Sequence, residues 1–184
     1  MRFKELKESE MTEAQREISR EVRAGPRGRL GPPTSVILRS PGLARHTQKV
    51  GEHLRYGSQF SGRIMEFAIL IAARHWNADY VWHAHHPLAI KAGLGAAVAA
   101  DLAHGRHPSG MKADEAAAYE FCTELQRDKA VSDATFDAAI RHFGEEGVVD
   151  LMGALAYYSL HSMALKVNQV RAPDVSPSPM PPLG

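Results

Sequence analysis

Between Ile64 and Ala73 the chain reads Ile-Met-Glu-Phe-Ala-Ile-Leu-Ile-Ala-Ala, ten residues that are apolar except for Glu66. A helix carrying this run is apolar on every side, so it has no face to give to water and belongs at the centre of the fold. The run is too short, and with Glu66 too polar, to span a bilayer. The rest of the chain must therefore enclose it. With 184 residues, 44% of them hydrophobic, the chain can bury roughly 70% of the surface that its unfolded form exposes, which is enough for one core.

The enclosing segments read as helices. Thr12 to Arg23 has an amphipathic pattern, and Gly25, Pro26, Gly28, Gly31, Pro32 and Pro33 then impose a loop. Ser40-Pro41 is a start signal, with Ser as the cap and Pro at the first helical position, for a helix running to about Arg55 and ended by Tyr56-Gly57-Ser58. Ser61 caps the central apolar helix. Asp79 opens another that reaches about Ala92, where Gly93 takes the place of a C-terminal glycine. Alanine-rich helices follow at Ala96 to Ala103 and Ala113 to Lys129; Ser132 starts one that Gly144 ends, and a last long one covers Glu146 to Val167. No segment alternates with a period of two. The expectation is an all-α protein of roughly seven to nine helices.

The chain divides into an N-terminal helix and Gly/Pro-rich loop (1–35), a helical domain (36–170) and a tail (171–184). From Ala172 to Gly184 the tail holds five prolines and is expected to be an extended arm or disordered.

Charge and cysteine content narrow the function. There are 22 Lys and Arg against 21 Asp and Glu, with no long basic stripe, so nothing electrostatic points to nucleic acid or to an anionic membrane. A small-molecule substrate is the expected partner. The single cysteine, Cys122, permits no internal disulfide and no Cys-x-x-Cys redox pair. Met1 to Arg23 alternates charge with single apolar residues and has no apolar export core, so a cytoplasmic location is expected.

Chemistry concentrates between Glu66 and Gly93. A carboxylate inside an apolar helix needs a partner, either an arginine such as Arg63 or Arg74 or a group with which it exchanges a proton. On the next helix, Ala78, Val81, His85, Leu88 and Ala92 share one face, and His85 is the polar break in that stripe. His85 is either a core histidine bonded to a backbone carbonyl or an imidazole that Glu66 orients for proton transfer. His83 and His86, three residues apart with Tyr80 one turn earlier, lie on a neighbouring face that meets solvent, a subunit interface or substrate. Two ligands on one zinc-binding helix usually stand four apart with a further Glu or Cys, which this stretch does not supply, so no metal is assigned. Pro87 removes a backbone donor and should kink or restart the helix, making a pocket wall. Trp76, Trp82 and Cys122 read as core. Neither a nucleophile elbow nor a phosphate-binding loop is present, and no cofactor is expected.

The run from Glu66 to Gly93 resembles the core of the carboxymuconolactone decarboxylase and alkyl hydroperoxidase D superfamily, small oligomeric all-helical proteins. In its hydroperoxidase branch a Glu precedes Cys-x-x-Cys-x-x-x-His and a helix ending in Ala-Gly. Laid on this chain without a gap, the Glu falls on Glu66, the His on His85 and the Ala-Gly on Ala92-Gly93. The two cysteines fall on Ala78 and Val81, and a proton-relay residue between them on Tyr80. The decarboxylase branch keeps the Glu and the His without the cysteines, and this chain looks more like that branch. Its stretch from Val131-Ser132-Asp133 through Ala156-Tyr157-Tyr158 to Asn168 also resembles longer members, so the likeness covers roughly Pro41 to Val170.

The resemblance implies a carboxy-lyase or isomerase acting on a small carboxylated or lactone metabolite. His85 would be the acid or base and Glu66 its orienter, with Tyr80, His83 and His86 as substrate contacts and Arg74 as a carboxylate anchor. It also implies a homo-oligomer, whether dimer, trimer or hexamer. A thiol peroxidase would lack its redox pair here. A non-catalytic oligomeric binding protein with structural histidines is the third reading.

Overall fold

The computed structural model describes residues 1–4, 6–60, 62–173, 180 and 181. Among these the protein is all-helical, with eight α-helices and no strand. They are α1 (Glu13–Ala24), α2 (Pro32–Ile37), α3 (Pro41–Glu52), α4 (Gly62–His75), α5 (Asp79–Lys91), α6 (Ala96–Ala103), α7 (Ala113–Asp128) and α8 (Asp133–Val167). No helix among the described residues is long and apolar enough to cross a membrane.

The apolar run does occupy the centre. Every residue of α4 from Ile64 to Arg74 is buried, and α5, α6, α7 and α8 pack around it. Phe67, Ile69 and Leu70 have no exposed surface, and burying each such side chain contributes about 1.5–3 kcal/mol. A smaller apolar cluster joins Ile18 and Val22 of α1 to Ile37, Leu38, Ala44 and Ala164, so the N-terminal helix rests on α3 and the end of α8.

Local chemistry explains most boundaries. At Thr12 the hydroxyl accepts from the Gln15 N–H while the Gln15 carboxamide accepts from the Thr12 N–H, a reciprocal cap for α1. The Ser132 hydroxyl likewise caps α8. Gly93, at φ 96°, ends the turn after α5.

Four local expectations change. The Gly/Pro stretch ends α1, but Pro32 and Pro33 then begin α2, because the first turn of a helix needs no N–H from its leading residues. Pro41 starts α3 without a side-chain bond from Ser40. α3 stops at Glu52 and passes into a π turn, His53–Gly57, closed by the Ser58 N–H on the His53 carbonyl. That turn is fastened to α8: one Asp150 carboxylate receives His53 Nε2 at 2.9 Å and the Ser58 hydroxyl. Gly144, at φ 64° and ψ −178°, leaves helical geometry and divides α8 into two helical limbs, where the sequence places the end of one helix and the start of the next. α5 neither stops nor restarts at Pro87 but runs continuously to Lys91.

Ser61 lies outside the described residues, as do positions 174–179 and 182–184 of the tail. Within the tail, Met180 is buried against the main core, and the Pro181 carbonyl accepts from Arg74.

Candidate active site

α4 and α5 run against each other through the short turn at Trp76-Asn77, where Asn77 takes the left-handed conformation. This folds the acidic break of one helix onto the basic break of the next. Glu66 Oε2 lies 2.7 Å from His85 Nδ1, and both side chains are 11% exposed. An ionised carboxylate can only accept, so the Nδ1–H donates to it and Nε2 is the atom left for chemistry. The edge of the imidazole meets the Tyr158 ring at a centroid distance of 5.1 Å and an angle of 84°, which fixes its plane from the other side.

His85 lies on the wall of a cleft of about 340 Å³. α5 contributes Tyr80, Ala84 and His85, and α8 contributes Tyr157, Tyr158 and His161. The π turn adds Arg55 and Tyr56, and the segment from Arg27 to Thr34 closes the far side. Of the described residues lining this space, the charged ones are Arg27, Arg29 and Arg55, with no carboxylate among them. A low-dielectric cleft with one sign of charge concentrates ligands of the other sign.

The α8 wall is locked by its own contacts. Arg27 Nη2 donates to the Tyr157 hydroxyl at 2.7 Å. Burial holds the phenols of Tyr157 and Tyr158 above their usual range, so both remain protonated at neutral pH. Burial pushes the His161 imidazole down to about 4, so that ring is neutral, and its Nδ1–H donates to the Tyr157 carbonyl at 2.9 Å.

The other sequence-predicted residues separate. Tyr80 shares the cleft with His85, whereas His83 does not line it. His86 stacks on Trp82 at 5.8 Å, and burial lowers its affinity for a proton. Arg74 lies at the far end of α4, buried, donating to the Ala103 and Pro181 carbonyls and to Asn77. It borders a different cavity of about 700 Å³ beside Lys166, Arg171 and the tail. Ala78 and Val81 are buried in the core. Cys122 is buried too, its thiol pushed up to about 12, which leaves almost no thiolate at neutral pH. Among the described residues no group of three or more His, Cys, Asp or Glu is placed to hold a metal ion.

The lining residues not picked out from the sequence include Arg27, Arg29, Arg55, Tyr56, Tyr157, Tyr158 and His161. Tyr157, Tyr158 and His161 carry no clear signal, because the same helix also holds Asp150, Ser159, Ser162 and Lys166 and these three do not stand out among them. The arginines carried none, because they lie on a loop and a turn that approach His85 only in three dimensions. No protein-family model matches this chain, and no curated protein matches it.

Proposed function

We propose that the chain is a cofactor-free acid–base enzyme of the decarboxylase-like kind, acting on a small carboxylated or lactone metabolite in the His85 cleft. The observation that carries this reading is the 2.7 Å contact between Glu66 and His85 at the wall of a cleft whose charged lining is arginine. Glu66 sets the tautomer and orientation of His85, and the arginines hold a carboxylate of the substrate. On a γ-lactone, breaking the bond to a departing carboxyl group releases carbon dioxide. The electron pair passes into the conjugated lactone, and protonated His85 delivers a proton to carbon. Solvent then returns one proton to His85 per turnover.

The experiment is a panel of carboxylated γ-lactones assayed for release of carbon dioxide. His85→Ala should lower turnover roughly 10²–10⁴-fold, the usual contribution of a positioned proton-transfer group. Turnover unchanged by that substitution would end the reading.

The same reading includes the alkyl hydroperoxidase D-like fold, a cytoplasmic place and a homo-oligomer. Self-association is supported by an exposed apolar stripe on α8, formed by Val149, Met152, Ala156, Met163 and Val167.

A further inference from the structure

A buried, unpaired nitrogen of a residue that lines the cleft narrows the substrate class, an inference that rests on the reading of the cleft as a substrate site. His161 is 4% exposed and lines the cleft beside His85, yet its Nε2 has no hydrogen-bond partner among the described residues. Its other nitrogen is committed to the Tyr157 carbonyl. The ring is also held between two aromatic neighbours, with centroids 4.1 Å from Tyr157 and 5.9 Å from Tyr158, so it cannot swing away to find water. With Nδ1 carrying the proton of the neutral ring, Nε2 is an acceptor. Buried polar atoms in native proteins are nearly always paired, and an orphan on the wall of a binding space is a place where a ligand supplies the partner.

The opposite polarity is also present. Arg27 Nε is buried without a partner among the described residues, although the same guanidinium donates through Nη2 to Tyr157. The cleft therefore offers one fixed acceptor at His161 and a group of cationic donors at Arg27, Arg29 and Arg55. A ligand complementary to both carries an anion and a hydroxyl or N–H donor on one small frame. The four lining tyrosines, Tyr56, Tyr80, Tyr157 and Tyr158, favour a flat one.

We propose that the cleft selects small planar hydroxycarboxylates, His161 Nε2 accepting from the ligand hydroxyl while the arginines bind its carboxylate, and that His161 is a specificity-determining residue. A site that pairs a buried acceptor with a ligand hydroxyl discriminates strongly against the analogue lacking it, because the acceptor is then desolvated for nothing.

The test uses the intact chain and three probes: benzoate, phenol, and 3- and 4-hydroxybenzoate as a pair. Titration calorimetry should show at least one hydroxybenzoate binding about tenfold or more tighter than benzoate, with phenol weakest. In the same samples the ¹⁵N resonance of His161 Nε2 should move upfield with that hydroxybenzoate and stay in place with benzoate. His161→Phe, which removes the acceptor and retains an aromatic ring, should close the gap between hydroxybenzoate and benzoate affinity. If His161→Phe fails to fold, the nitrogen shift in the unsubstituted protein decides the matter alone. Benzoate and both hydroxybenzoates binding equally, with no movement of the His161 resonance, would overturn this proposal and leave the anion cleft standing. No binding of any carboxylate would overturn the cleft reading and this proposal together.

Discussion

A buried neutral histidine makes stability depend on pH in a direction fixed by its surroundings. Unfolded, His161 takes up a proton near its ordinary value of 6.5; folded, burial delays that to about 4. Between those values the unfolded chain binds more protons than the native one, so stability falls as pH drops from 6.5 toward 4. The difference corresponds to about 3 kcal/mol across that window. Urea denaturation followed at pH 7.0, 5.5 and 4.5 should show a decline that His161→Phe flattens. An equally steep decline in that variant would place the acid lability elsewhere. The contrast with His85 is instructive, because the two rings stand on the same cleft with different assignments: a carboxylate faces His85 Nδ1, whereas a backbone carbonyl faces His161 Nδ1. That is why one suits proton transfer and the other suits recognition.

At the scale of elements, α3 meets the second limb of α8 through the side chains of Arg27 and Tyr157, which fill the space over Gly51. A Cβ at Gly51 would fall on Arg27 Nη2 and on the Tyr157 hydroxyl, so the glycine is what allows the Arg27–Tyr157 pair to seat against the helix. Gly51→Ala should raise helix propensity and nonetheless destabilise the fold, by about 1–3 kcal/mol, because overpacking outweighs a gain of about 0.5–1 kcal/mol. It should also weaken binding of benzoate in the cleft, read by calorimetry beside the denaturation curve. A more stable Gly51→Ala protein with unchanged binding would show that the pair yields freely. The same elements show how far the sequence could be read. The central position of α4 followed from its apolar run, and the all-helical class followed from the missing period of two. The Glu66 and His85 pairing was legible because both are polar breaks on apolar helices adjacent in the chain. Arg27, Arg55 and His161 were not, since their approach to His85 depends on how α2, the π turn and α8 pack, and no local pattern encodes that. Arg74 was visible as a cation near Glu66 in sequence, yet along the helix it lies two turns further on and turns to the Ala103 and Pro181 carbonyls.

Among the described residues the helices enclose α4 and leave one helix face of α8 exposed. Along the second limb of α8, Val149 is 60% exposed, Met152 46%, Met163 39% and Val167 51%, with Ala156 exposed between them. They fall at steps of three, four, seven and four residues on one helix face, with half-buried Ser159 and Leu160 in the longer gap, and reach about 27 Å from end to end. The opposite face of the same limb holds Asp150, Tyr157, Tyr158 and His161, so a helix packed against the seam would brace the cleft wall from behind without entering it. Scattered apolar residues on a surface need no explanation, but a stripe of this length does. The proposed self-association follows from it: at micromolar concentration, size-exclusion chromatography with light scattering should give a mass that is a multiple of 20.2 kDa. Replacing both Val149 and Met152 by Glu should return the mass to that of one chain, with helical circular dichroism preserved, because neither side chain contributes to the core. Carboxylate affinity in the cleft should fall in the dissociated protein if the seam braces α8, and stay constant if the wall is rigid alone. An unsubstituted chain that remains a single copy at a hundred micromolar would remove the seam as an assembly surface, while the His85 cleft, built within one chain, would be untouched.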